Sequence, residues 1–188
     1  MIDLGLNLVI GSVIDVGNKF GGMENLVPQH IKNDMARAMK AIKTGAKDVE
    51  TVRGFDRTII LNPLAAAACG GGLFFMDEES MSTVLGVSEE FYTDLPKHRA
   101  VIAHEYGHWR SWVENSVEYH IDRIVNASIQ TADAEEMFAD REVIIQFGSK
   151  GANEMIDFLE PFTTARFMPE VAQLHICRRI GRLEGLIY

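Results

Sequence analysis

Residues 99–112 read "RAVIAHEYGHWRSW", and the five letters at their centre, His-Glu-x-x-His, decide how the rest of the chain is read. On a helix, His104 and His108 stand four residues apart and project from one face, one turn above the other. Two imidazoles at that spacing can reach a single tetrahedral zinc ion. Glu105 is adjacent on the helical wheel, where a carboxylate can take a proton from metal-bound water without binding the metal itself. Ile102, Tyr106, Trp109 and Val113 fall on the opposite face and are expected to anchor the helix in a core. Working outward, Asp94 stands where an N-cap is needed and Pro96 in the first turn, so the helix is expected over about 95–119.

Two histidines need a third ligand, and three downstream patterns can be tested. The metzincin pattern requires Gly at position 111 and His at position 114; the chain has Ser111 and Glu114, which rejects it. His120 would project from about 18 Å further along a continuous helix, too far unless the helix ends early and the chain doubles back. The remaining source is "ADAEEMFADREVIIQFG", residues 132–148. Glu136 and Asp140 are four apart on one helical face, so one carboxylate can bind the metal. The other can accept a hydrogen bond from a ligand histidine and fix its tautomer. Glu136 is the expected ligand, with Glu135 as its competitor. Met137, Val143, Ile144 and Phe147 are expected to supply core contacts for this helix.

With "HEYGH" at 104–108 and "EMFAD" at 136–140, the chain resembles the gluzincin metallopeptidases, in which His-Glu-x-x-His is followed by Glu-x-x-x-Asp on a later helix. The resemblance covers residues 99–141. It is closest to two branches, the membrane-embedded HtpX type and the soluble ImmA/IrrE-like type that cleaves repressors. It implies a zincin-like fold, zinc held by His104, His108 and Glu136, Glu105 as general base, and Asp140 behind a ligand histidine, His104 first. It also implies hydrolysis of a peptide bond by metal-activated water, with one further donor for the developing oxyanion. His175 is taken as that catalytic donor; Arg178, Tyr119 and His120 are alternatives. Zincin clefts bind substrate along an exposed sheet edge. "GGLFFMDEE" (71–79) is the best candidate for that edge, the alternative being a core strand whose glycines form only the preceding turn. As an edge it gives an acidic rim of Asp77, Glu78 and Glu79. The competing function is a non-catalytic, zinc-stabilised interaction or assembly protein on a protease-like fold.

The remaining sequence sets bounds on that reading. Its 188 residues suit a single domain spanning 1–188, and 47% hydrophobic with 24% charged residues is ordinary for a globular chain. A net charge of −9 without a Lys/Arg-rich run excludes a phosphate-backbone binder. Arg178, Arg179 and Arg182 are read as a solvated helix face. No apolar run reaches the roughly 20 residues of a membrane span. Two distant cysteines, Cys69 and Cys177, suggest a reducing, cytoplasmic setting. The partner is then a protein or peptide substrate, with oligomeric state left open.

The fold class is α+β, with a small N-terminal sheet, mostly antiparallel or mixed, packed on the active-site helix, and a helical C-terminal half. The alternation Ile2, Leu4, Leu6, Leu8, Ile10 is strand-like. A helix is expected over about 29–44, with Ile31, Met35, Met39 and Ile42 on one face. Strands follow at "DVETV", "RTIIL" and "LFFM", and short helical turns at 80–87 and 88–92. Further helices are expected at about 132–147, 152–159 and 169–184, with Gly148 closing the first of these.

Overall fold

Asn62 joins two elements of the sheet region. Its side-chain oxygen accepts the Ala65 N–H at 2.9 Å, capping a helix whose first residue is Pro63. Its amide donates back to the carbonyls of Ala41 and Thr44, at 3.2 and 2.8 Å. The computed structural model describes residues 28–69, 71–77, 82–116, 119, 129–166 and 170–187. These fall into two compact units: Met1–Leu95 with Trp112–Ser128, and Pro96–Ser111 with Ile129–Tyr188. The N-terminal alternation at 2–10, together with Glu78, Glu79 and His120, lies outside the described residues.

The first unit holds α1 (Gln29–Lys43), β1 (Lys47–Val49), β2 (Arg57–Ile60), α2 (Pro63–Ala68), β3 (Gly72–Asp77), β4 (Ser82–Val87) and α3 (Glu89–Thr93). The sheet is mixed, in the order β1-β2-β4-β3, with β2 and β4 parallel and the outer pairs antiparallel. Met39 and Ile42 of α1 pack with Ile59, Leu61, Leu73, Phe75 and Val84 in one cluster.

Residues 82–87 form a central strand rather than helical turns. Pairing on both sides and burial of Thr83, Val84, Leu85 and Val87 favour the β-rich reading. Ser88 does start a short helix, accepting the Phe91 N–H on its hydroxyl. Among the described residues β3 ends the sheet, as the edge alternative for "GGLFFMDEE" has it, although Leu73, Phe74 and Phe75 are buried. Asp77, however, is buried and paired with Lys43 and Arg57, so it does not contribute to an acidic rim.

The second unit contains α4 (Arg99–Glu114, as far as Ser111), α5 (Ile129–Leu159), a 3-10 turn (Glu160–Thr164) and α6 (Glu170–Ile187). Helix α4 begins later than its expected cap. Asp94 closes α3, its N–H bonding the Glu90 carbonyl, and the chain turns through Pro96 before α4 starts. At Gly148, α5 breaks with φ 61° and ψ −151°, a conformation glycine adopts without steric penalty. Arg99 fastens the start of α4 to the second half of α5, gripping Glu154 at 2.8 and 2.6 Å and lying 4.6 Å over the Phe147 ring.

The buried face of α4 differs from the expected one. Ala100, Val101, Ala103, His104, Glu105, Gly107 and Ser111 are buried, Ile102, Tyr106 and Trp109 are half-buried, and Val113 is 53% exposed. On α5, Val143 is fully buried as expected, Ile144 and Phe147 are half-buried, and Met137 is exposed. No helix among the described residues is long and apolar enough to cross a membrane.

Candidate metal centre

Helix periodicity and one close helix approach build this site. His104 and His108 lie one turn apart on α4 with ring centroids 4.7 Å apart and planes nearly perpendicular. Facing them, α5 presents Ala139 at Gly107. A Cβ on Gly107 would lie 2.6 Å from the Ala139 Cα and 2.8 Å from its carbonyl oxygen. With no side chain on one helix and only a methyl on the other, the backbones come close enough for the Glu136 carboxylate to reach both imidazoles.

The distances suit a small tetrahedral ion. His104 Nε2 and His108 Nε2 are 3.1 Å apart. Glu136 presents Oε2 to His104 Nε2 at 3.3 Å and Oε1 to His108 Nε2 at 3.5 Å. Ligand atoms at about 2.0–2.1 Å from a tetrahedral ion are separated from one another by about 3.3–3.4 Å. One ligand atom from each of the three residues lies within 4.8 Å of the other two, and this is the metal-capable group found among the described residues. Glu135 does not belong to it: it is buried and accepts a hydrogen bond from the Ser111 hydroxyl at 3.0 Å.

Around the donors, Asp140 Oδ1 lies 2.9 Å from His104 Nδ1, as its spacing from Glu136 implied. That bond fixes the ring so that Nε2 faces the other ligand atoms. His108 has no such orienting partner among the described residues, and its Nδ1 is buried without a hydrogen bond.

Charge in the centre is unevenly shared. For His104, burial and the Arg179 cation both act downward, but hydrogen bonds to Asp140 and Glu136 outweigh them and raise its pKa to about 9. Burial and the neighbouring His104 charge push His108 down to about 4. Burial acts upward on Glu136 and Asp140, yet Arg179 and His104 hold both below the ordinary carboxylate range. The centre thus holds two carboxylates ionised beside one charged and one neutral imidazole. The Arg179 cation, with a proton on His104, balances the two carboxylates.

Arg179 is the residue that sequence reading missed. Instead of lying on a solvated face it is buried, ion-paired with Glu136 at 2.6 Å and with Asp140 at 2.7 Å. The signal was available in helical spacing. Ile176, Arg179 and Leu183 fall at i, i+3 and i+7, and all three are buried on α6. Arg178, by contrast, is 51% exposed, as expected of a solvated position.

Glu105 is buried on α4 and interacts electrostatically with Arg179. His175 sits one turn before Arg179 on α6, and its Nδ1 is 2.6 Å from Asp133 Oδ1. Asp133 itself precedes Glu136 by one turn. His175 is thereby tied to α5, the helix that carries Glu136, without being part of the metal-capable group. Tyr119 is exposed and belongs to the other unit. No family model, curated protein or solved structure matches this chain.

Proposed function

We infer that the protein is a zinc-dependent endopeptidase of the gluzincin type, cleaving peptide bonds of a protein or peptide substrate. The observation that carries this reading is the convergence of His104, His108 and Glu136 at the spacing of a tetrahedral ion, with Glu105 intact beside them. Three protein ligands leave one position open, the arrangement of catalytic rather than structural zinc. Zinc held there supplies Lewis acidity, which polarises a substrate carbonyl and acidifies water.

The chain's own groups do the rest. The Glu105 carboxylate accepts the proton of the attacking water and delivers it to the leaving amine nitrogen. Asp140 accepts the His104 Nδ1–H and so keeps the Nε2 lone pair available to the ion. Asp133 lies 2.6 Å from His175 Nδ1, and in the imidazolium form of His175 the Nε2–H is the donor for the oxyanion that forms on the scissile carbonyl. Two cysteines in a chain of this length suit a cytoplasmic setting.

The test is turnover of a quenched-fluorescent peptide library by zinc-loaded protein beside Glu105→Gln. Cleavage by the wild type, lost in a variant that retains its metal, supports the reading. Cleavage unchanged by the substitution contradicts it and returns the protein to the class of zinc-stabilised interaction proteins.

A further inference from the structure

Arg179 contacts both acidic residues of the centre with one planar group. Nη1 lies 2.6 Å from Glu136 Oε2. Nε and Nη2 fork onto Asp140, at 3.2 Å to Oδ2 and 2.7 Å to Oδ1. The residue is only 8% exposed, so these contacts are made away from bulk water. A rigid guanidinium with five donors fixes two carboxylates relative to each other, which a lysine ammonium, a point charge on a flexible stem, cannot do.

The consequence concerns the two oxygens of Glu136. Oε2 lies 3.3 Å from His104 Nε2 but is also engaged by Arg179 Nη1 at 2.6 Å, while Oε1 lies 3.5 Å from His108 Nε2. A carboxylate with both oxygens accessible can grip one ion through the pair and fill two coordination positions. We propose that Arg179 is a positioning residue that holds Glu136 to ligation through Oε1 alone and so keeps the fourth coordination position of the ion open for substrate. This rests on the zinc-peptidase reading above. It adds a role for α6: the ion is gripped by α4 and α5, but its coordination number is set from α6.

The experiment uses cobalt(II) as the probe, because its visible absorption distinguishes four-coordinate from five-coordinate ions. Wild type, Arg179→Gln and Arg179→Lys are loaded with cobalt, and metal affinity is measured alongside. The wild type is expected to show the intense bands of a four-coordinate ion. Both variants are expected to show the weaker bands of a five-coordinate ion and to lose about 10–100-fold in metal affinity, with Arg179→Lys retaining the charge but not the fork. X-ray absorption on zinc-loaded wild type gives the same readout with no substitution, and there one-oxygen carboxylate ligation is expected. Two-oxygen ligation in the wild type, or metal-loaded variants with wild-type spectra, overturns the proposal while leaving the metal site intact. A wild type that takes up neither zinc nor cobalt overturns the underlying metal reading as well.

Discussion

Gly107 and Ala139 bring α4 and α5 together so closely that a single methyl on Gly107 would meet the Ala139 backbone at 2.6 Å. Backbone cannot rotate away as a flexible side chain can, so Gly107→Ala must push the helices apart. Overpacking of this kind costs about 1–3 kcal/mol. The same movement draws Glu136 away from the two imidazoles, so zinc affinity is expected to fall together with stability. Denaturant unfolding and a zinc titration on the one variant check both effects. Gly181→Ala on α6 is the control, since nothing lies within 4 Å of its added Cβ. It is expected to be neutral or stabilising by about 0.5–1 kcal/mol, with zinc binding unchanged.

Asp140 connects His104 to Arg179. In Asp140→Asn the side chain keeps its shape but loses its charge, leaving Arg179 buried with one carboxylate fewer. Metal affinity is expected to drop about 10–100-fold, and competition against a chelator of known strength measures it. Affinity equal to wild type would show that His104 needs no orienting partner.

Much of this centre was legible in sequence because helical spacing turns letters into geometry. His104 with His108, and Glu136 with Asp140, are both four apart, and each pair lies on one face as that spacing requires. The choice of Glu136 over Glu135 rested in sequence on its spacing from Asp140; adjacent residues lie about 100° apart on a helix, and the partner decides which faces it. Ser111 engages one and the histidines face the other. Arg179 was misread because residue type was weighed above its position between Ile176 and Leu183. In the sheet, "STVLGV" resembled a turn only while its neighbours were unknown. Pairing with β2 and β3 makes it the central strand. The apolar residues expected to anchor α4 are half-buried or exposed because the helix instead buries its small and polar face against α5.

The histidines give the metal-free protein a stability maximum. His104 is raised above its ordinary 6.5 to about 9. Its charged form therefore adds stability that is complete below pH 6.5 and lost as pH rises through 9. His108 is lowered to about 4, so its neutral form adds stability that is complete above pH 6.5 and lost as pH falls through 4. Thermal midpoints of chelated protein are expected to peak near pH 6.5 and decline on both sides. A ligand imidazole must be unprotonated, so zinc uptake between pH 7 and 8 should release about one proton, from His104. Calorimetry in buffers of different ionisation enthalpy counts it. Uptake with no proton released would mean that His104 is neutral in the metal-free state.

His175 separates catalysis from metal binding. Its Nδ1 lies 2.6 Å from Asp133 Oδ1, and it stands outside the metal-capable group. His175→Ala is expected to keep zinc at the wild-type level and to lower kcat about 10²–10³-fold, the usual loss for one oxyanion donor. Loss of zinc in this variant would assign His175 to the metal site instead.

The most direct measurement is metal content by mass spectrometry, on protein purified without added metal, for wild type, Glu136→Ala and Glu135→Ala. The expected result is about one zinc per chain in the wild type and in Glu135→Ala, and little in Glu136→Ala. Absence of zinc from the wild type even after reconstitution, or full retention in Glu136→Ala, would contradict the three-ligand site of His104, His108 and Glu136.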